Sequence, residues 1–190
     1  MDSIVRDFTS DDTEKVISVY RSAMSTPPWN EDIEPQVLKT RFMKDQERPN
    51  FICRVFQARI HWVVWALWHD NIEKNTLQKE RWIELVDEIT RLWLSWKIWW
   101  FRDLLIDKDF QSQGIGKVLV QDAIDIWKRE WYKNVLLRIH LGGIDDNEVV
   151  PNIKAIKLYN NFWFTLLQTR TVSQDMNGNK LNMGYMLLRL

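Results

Sequence analysis

Ile4 to Phe8 reads as a short strand, and Thr9-Ser10-Asp11-Asp12 resembles a capping box opening a helix with Val16, Ile17 and Tyr20 on one face. Thr26-Pro27-Pro28-Trp29-Asn30 ends that helix. Apolar spacing predicts a second helix over Pro35 to Lys44, with Val37, Leu38 and Phe42 as its buried stripe. Two strands follow, near Phe51 to Ala58 and Val63 to His69, arranged as a hairpin. From Asn75 to Leu94, Ile83, Leu85, Val86, Ile89 and Leu92 predict a helix inserted before the next strand. Trp99 to Ile106 is the most apolar strand candidate. Gly114 to Glu130 repeats apolar residues at Val118, Leu119, Ala123, Ile126 and Trp127, a helical pattern. Asn134 to Leu141 is a strand in which Val135, Leu137 and Ile139 alternate against Leu136 and Arg138. Asn152 to Phe162 is a helix, and the tail is two strands joined at Asn177-Gly178, a pair suited to a hairpin turn. The order β-α-α-β-β-α-β-α-β-α-β-β predicts a mixed α/β fold, one sheet flanked by helices.

Composition narrows what such a fold does. With 190 residues, 45% of them apolar, and neither a low-complexity linker nor an internal repeat, the chain is expected to form one domain over residues 1–190. Lys plus Arg equals Asp plus Glu at 26 each, so no net field draws nucleic acid or an anionic membrane, and neither is expected as a partner. The longest uncharged apolar run, Trp62 to Trp68, is far too short to span a bilayer, and the N-terminus lacks the basic-then-apolar pattern of a secretory signal. Cys53 is the only cysteine, which excludes an internal disulfide and fits a reducing cytoplasm. His61, His69 and His140 show no metal-ligand spacing, so no metal is expected. Tryptophan outnumbers glycine by 12 to 6, whereas average usage would give roughly 13 glycines in this length.

The candidate chemistry sits where FRDLLID is followed by DFQSQGIGKVLVQ. Gly114 and Gly116 immediately precede an amphipathic helix, which makes an anion cradle: glycines let backbone approach a phosphate, and N–H groups at a helix start point at negative charge. The stretch lacks the third glycine of a dinucleotide fingerprint and the Gly-Lys-Ser/Thr ending of a phosphate loop. Gln111-x-x-Gly114-x-Gly116 resembles the Q/R-x-x-G-x-G/A signature of the GNAT superfamily of N-acetyltransferases. Asn152-x-x-Ala155-x-x-Leu158-Tyr159 followed by Trp163-Phe164 resembles that family's N-x-x-A-x-x-L-Y-x-x-x-G-F element. The two are separated by one helix and one strand, as in the family. The resemblance covers Trp99 to the C-terminus; the N-terminal half agrees only in its order of elements.

The resemblance implies a twisted, mostly antiparallel sheet of six or seven strands, splayed between the strands at Leu104 and Leu137 to admit acetyl-CoA. Backbone amides of Gln113, Gly114, Ile115, Gly116 and Lys117, in a loop with Gln111 and Ser112, are implied to bind the pyrophosphate. The edge of Leu104, Leu105 and Ile106 is implied to pair with the pantetheine arm, and a backbone N–H near Leu105 to polarise the acetyl carbonyl. Asn152 is implied to hydrogen-bond that arm, and it also reads as a helix N-cap. Tyr159 is implied to protonate the departing thiolate, and it also reads as core, in a stripe with Ala155, Ile156 and Phe162. The implied reaction moves acetyl directly to a primary amine of a small molecule or peptide. A general base is then needed. Asp103 is the first candidate, with an ion pair to Arg102 as its structural alternative, and His140 is the second. Asp145, Asp146 and Glu148 form an acidic loop that either meets a cationic substrate or is merely solvated. A longer acyl donor, a catalytically silent acyl-CoA-binding module and a homodimer stay open. The acceptor is expected to be set by Trp29, the first two helices, the helix between Asn75 and Leu94 and the C-terminal hairpin.

Several tryptophans stand where this resemblance calls for glycine. Trp163 takes the glycine of the second element, and Trp131 follows the long helix where a left-handed cap is expected. Trp65 replaces a glycine of the early hairpin's second strand, and Trp62 is expected at its turn. Bulky residues in left-handed conformation cost on the order of 1–2 kcal/mol. The expectation is a codon, UGA, that the source organism reads as glycine; the alternative is a tryptophan-rich core.

Overall fold

The computed structural model describes residues 3–26, 29, 31–47, 51–58, 62–67, 83–92, 98–143, 151–174 and 178–190, with side chains of 58, 62–67 and 83 left aside. In chain order the elements are β1 (Ser3–Asp7), α1 (Thr13–Met24), α2 (Pro35–Gln46), β2 (Ile52–Ala58), β3 (Trp62–Leu67), α3 (Ile83–Arg91), β4 (Ile98–Phe101), α4 (Ile115–Arg129), β5 (Asn134–Gly143), α5 (Ile153–Asn160), β6 (Thr165–Gln174) and β7 (Lys180–Arg189). The order read from periodicity is the order found. The single expected sheet is resolved into two ladders, β1-β2-β3 and β4-β5-β7-β6. All pairings are antiparallel except β4 with β5.

The parallel pair explains the most apolar segment. All residues of Ile98–Phe101 are buried, as expected of a parallel strand covered on both faces. Trp99 and Phe101 face a core with Leu119, Ala123 and Trp127 of α4 and Val135, Leu137 and Ile139 of β5. Ile98 and Trp100 face the other side, with Leu85, Val86 and Ile89 of α3, Leu136, Tyr185 and Leu187. Leu136 is therefore core as well, so β5 is buried on both faces there instead of alternating. Glu88 of α3 accepts the N–H groups of Gln168 and Thr169, both at 2.8 Å, where the β6–β7 register shifts between Leu166 and Arg170. A buried carboxylate thus supplies acceptors for a break in the ladder.

At the N-terminus Thr9 and Asp12 form the expected capping box, opening a 3-10 turn at Ser10–Asp12 before α1. Arg6 reaches back from β1 to hold Asp12 with two hydrogen bonds of 2.7 and 2.8 Å. That guanidinium, with Thr9 donors, depresses the Asp12 carboxyl from 3.8 to about 2.

Several expectations are corrected. Val37 and Val118 are 60% and 47% exposed, because the apolar stripes of α2 and α4 are narrower than the run of apolar letters. The strand expected to reach Ile106 leaves its ladder after Phe101, paired with Leu137. Trp62 opens β3 and Trp65 lies within it, opposite Gln57 and Arg54, so the backbone at both is extended and makes no conformational demand for glycine, while residues 59–61 between β2 and β3 lie outside the described residues. His61, His69, Asp145, Asp146, Glu148, Asn177 and, of the helix expected over Asn75 to Leu94, residues 75–82, 93 and 94 lie outside the described residues. No helix of the described residues is long and apolar enough to cross a membrane.

Candidate functional site

While β5 continues to Gly143, residues 102–107 run free of any ladder. The two chains diverge there, at the position where a splay was expected. Alternation persists along the free segment: Leu104 and Ile106 pack on the main core, and Leu105 on the cluster that α1 and α2 make with β2. Its far end is tied down by side chains. Asp107 accepts the Ser22 hydroxyl of α1 at 3.0 Å and the N–H of Asp109 at 3.1 Å, and Gln111 Nε2 donates to the Ile106 carbonyl at 3.2 Å. Gln111 thereby fixes the loop to the edge that precedes it.

Gly114 and Ser112 are both left-handed, at φ 84° and 63°, which folds the loop into a concave nest of N–H groups at the start of α4. The amides of Gln113, Gly114, Ile115 and Gly116 have no acceptor among the described residues. Lys117 is a correction to the expected set, since its N–H already donates to the Gly114 carbonyl at 3.0 Å. The two glycines serve different ends. A Cβ on Gly114 would meet nothing within 4 Å, so that position is constrained by conformation alone. A Cβ on Gly116 would lie 3.1 Å from Leu158 Cδ2 and 3.2 Å from Ile106 Cδ1, so that position is constrained by the approach of α4 to α5 and the free edge.

Asp103 sits at the divergence with its side chain 21% exposed. Its Oδ2 is 3.9 Å from Arg102 Nε and has no hydrogen-bond partner among the described residues. The ion pair anticipated as the structural alternative is thus present but long, and leaves the carboxylate with lone pairs to offer. Arg102 also lies 4.0 Å from Asp45. Burial, and secondarily the Asp103 charge, push the Tyr159 hydroxyl well above the usual tyrosine range, so it stays protonated. The Tyr159 ring lies 5.8 Å from that of Phe101 and 5.5 Å from that of Phe164. It is core and neighbour of the carboxylate at once.

Sequence reasoning missed Tyr20. Burial first and Asp103 next raise its hydroxyl as they do Tyr159, and Arg41 of α2 donates to it at 3.3 Å. Tyr20 and Arg41 read as members of two amphipathic helices, and only the docking of α1 and α2 brings them toward Asp103. His140 is 1% exposed in β5, its ring 5.3 Å from that of Trp29. Asn152 caps α5, its Oδ1 accepting the Ala155 N–H at 3.2 Å, and its own N–H donates to the His140 carbonyl. Cys53 is buried, and burial pushes its thiol far above the usual range. Among the described residues, no group of three or more His, Cys, Asp or Glu gathers to hold a metal.

No protein-family profile matches the sequence, and no curated protein matches it. Solved structures do match the fold. A ribosomal-protein-alanine N-acetyltransferase from Brucella melitensis aligns over 98% of this chain and 99% of its own, with a TM-score of 0.69 at 14% identity. An acetyltransferase of the GNAT family from Streptococcus pneumoniae aligns over 100% and 99%, with a TM-score of 0.64 at 13% identity. The chain has the GNAT acetyltransferase fold. A third GNAT-fold neighbour, yncA of Salmonella typhimurium, was solved with its cofactor acetyl-CoA; it aligns over 99% and 94%, with a TM-score of 0.63 at 12% identity. In this chain's version of the GNAT fold, the nest at Gln113 to Gly116, the free edge at Leu104 to Ile106 and the Asp103–Tyr159 neighbourhood adjoin the divergence of β4 and β5.

Proposed function

We propose that this chain is an N-acetyltransferase that moves the acetyl group of acetyl-CoA to a primary amine of a small molecule or peptide in the cytoplasm. The observation that carries the reading is the glycine-built nest of free amides beside a backbone edge that belongs to no ladder, within a GNAT fold. The residues present fit acetyl-CoA. The amides of Gln113 to Gly116 hold its pyrophosphate with the α4 dipole behind them. The free edge of Leu104, Leu105 and Ile106 pairs with the pantetheine arm, and the side-chain NH2 of Asn152, whose Oδ1 is committed to the cap, donates to that arm. Acetyl-CoA supplies an already activated thioester, so the chain's part is alignment, polarisation and proton handling. The Leu105 N–H polarises the carbonyl. Asp103 accepts the proton that the amine loses as the C–N bond forms. Tyr159 delivers its proton to the sulfur as the C–S bond breaks, and the proton on Asp103 restores the phenol.

A silent acyl-CoA-binding module is the second reading, favoured by the packing of Tyr159 between Phe101 and Phe164. Both readings require the nest, which Gly114→Glu or Gly116→Asp would fill with a side chain of the wrong charge. Calorimetry on the folded variants should show acetyl-CoA affinity lost. Unchanged affinity would remove the assignment and both readings with it.

A further inference from the structure

Trp131 and Trp163 have φ of 60° and 67°, and with Ser112 they make up the non-glycine residues at positive φ among those described. Each ends a helix in the same way. After α4, the N–H of Tyr132 donates to the Trp127 carbonyl at 3.0 Å and that of Trp131 to Lys128 at 3.1 Å. After α5, the N–H of Phe164 donates to the Tyr159 carbonyl at 3.2 Å and that of Trp163 to Asn160 at 3.1 Å. These are two Schellman turns, and both place tryptophan at the left-handed position, which glycine fills because a Cβ crowds the following carbonyl. Tryptophan is 12 of 190 residues, so its presence at two of three such positions is far from chance.

The indole rings do nothing that would repay this backbone. Both residues are 84% exposed, and neither makes a side-chain hydrogen bond or ring contact among the described residues. Trp99, Trp100 and Trp127 behave differently: they are 3%, 8% and 0% exposed and pack against Tyr132, Tyr185 and Phe101. These five tryptophans therefore divide into rings the core uses, at 99, 100 and 127, and rings stranded on turns built for glycine, at 131 and 163.

We infer that positions 131 and 163 are glycine in the protein its own organism makes, each encoded by UGA read there as glycine. UGA differs from the tryptophan codon UGG in the third base and from the glycine codon GGA in the first, so one reassigned codon accounts for both positions. Trp127, enclosed in the core, is a true tryptophan encoded by UGG. Trp62 and Trp65 of β3 carry no conformational demand and are left out of the inference.

Sequencing the gene and peptide mass spectrometry of the protein purified from its organism test this directly. UGA codons and glycine-containing peptides are expected at 131 and 163, with UGG and tryptophan at 127. UGG codons, or tryptophan in the native peptides at 131 and 163, overturn it. Urea unfolding of the full recombinant chain gives an independent readout. Trp131→Gly and Trp163→Gly should each raise the folding constant roughly fivefold to thirtyfold, whereas Trp131→Ala and Trp163→Ala, which keep a Cβ, should gain little. Glycine variants no more stable than the alanine variants overturn the conformational argument.

Discussion

Replacing Gly116 by alanine puts a methyl group 3.1 Å from Leu158 Cδ2 and 3.2 Å from Ile106 Cδ1. Carbon pairs settle at about 3.5–4.0 Å, so both neighbours must yield by several tenths of an ångström. Overpacking of this kind costs roughly 1–3 kcal/mol, and alanine regains about 0.5–1 kcal/mol over glycine inside a helix. The expected net loss is about 1 kcal/mol. Its functional reach is longer, because Leu158 precedes Tyr159 and Ile106 closes the free edge, so acetyl-CoA affinity should fall several-fold. Gly114→Ala is the contrasting perturbation: it meets nothing within 4 Å, yet at φ 84° it costs about 1–2 kcal/mol in backbone strain. Urea unfolding and acetyl-CoA calorimetry on both variants separate the two causes. A Gly116→Ala protein as stable as the parent, with unchanged affinity, would refute the close approach of α4, α5 and the edge.

Tyr159→Phe removes only the hydroxyl, so stability should change little while turnover drops; parental turnover would make Tyr159 core alone. Asp103→Asn keeps shape and removes the base, so turnover should fall with acetyl-CoA affinity nearly unchanged, and loss of both together would make Asp103 structural. For the parent protein, the rate of acetyl transfer should rise with pH until the base or the amine is deprotonated, and a flat profile contradicts a proton-accepting step. Asp12 tests the N-terminal frame. Its folded value of about 2 lies below the ordinary 3.8, so the stabilisation is present above about pH 4 and is lost as pH falls through about 2. Asp12→Asn should therefore cost about 2 kcal/mol at pH 7 and weaken the acid dependence of stability between pH 4 and 2. A variant with the parent's stability and acid limb would contradict the Arg6–Asp12 account.

The order of elements was legible because each buries one stripe or face, and the period of that stripe is a local property of Val16, Ile17 or Leu119 and its neighbours. Gly114 was legible for the same reason: a left-handed residue before a helix is a local demand, as it is at Trp131 and Trp163. Where β4 ends was not legible. Leu104 to Ile106 stay extended and apolar after leaving the ladder, and alternation alone does not distinguish a paired strand from a free edge. The exposure of Val37 and Val118 depends on how far a neighbouring layer wraps each helix. Tyr20 and Arg41 come under the influence of the Asp103 charge only through the docking of α1 and α2, which are far apart from it in sequence with no motif to announce it. At Lys117 the sequence shows a helix start but not its first turn, in which the Lys117 N–H is bonded to the Gly114 carbonyl.

Acetyl transfer to an amine is tested by release of free thiol from acetyl-CoA across a panel of polyamines, aminoglycosides, amino acids and peptide N-termini. At least one amine class should drive release above background hydrolysis, and this release should fall in Asp103→Asn while acetyl-CoA still binds. Binding of acetyl-CoA with no amine-dependent release from any class would contradict it and leave the silent acyl-CoA-binding module.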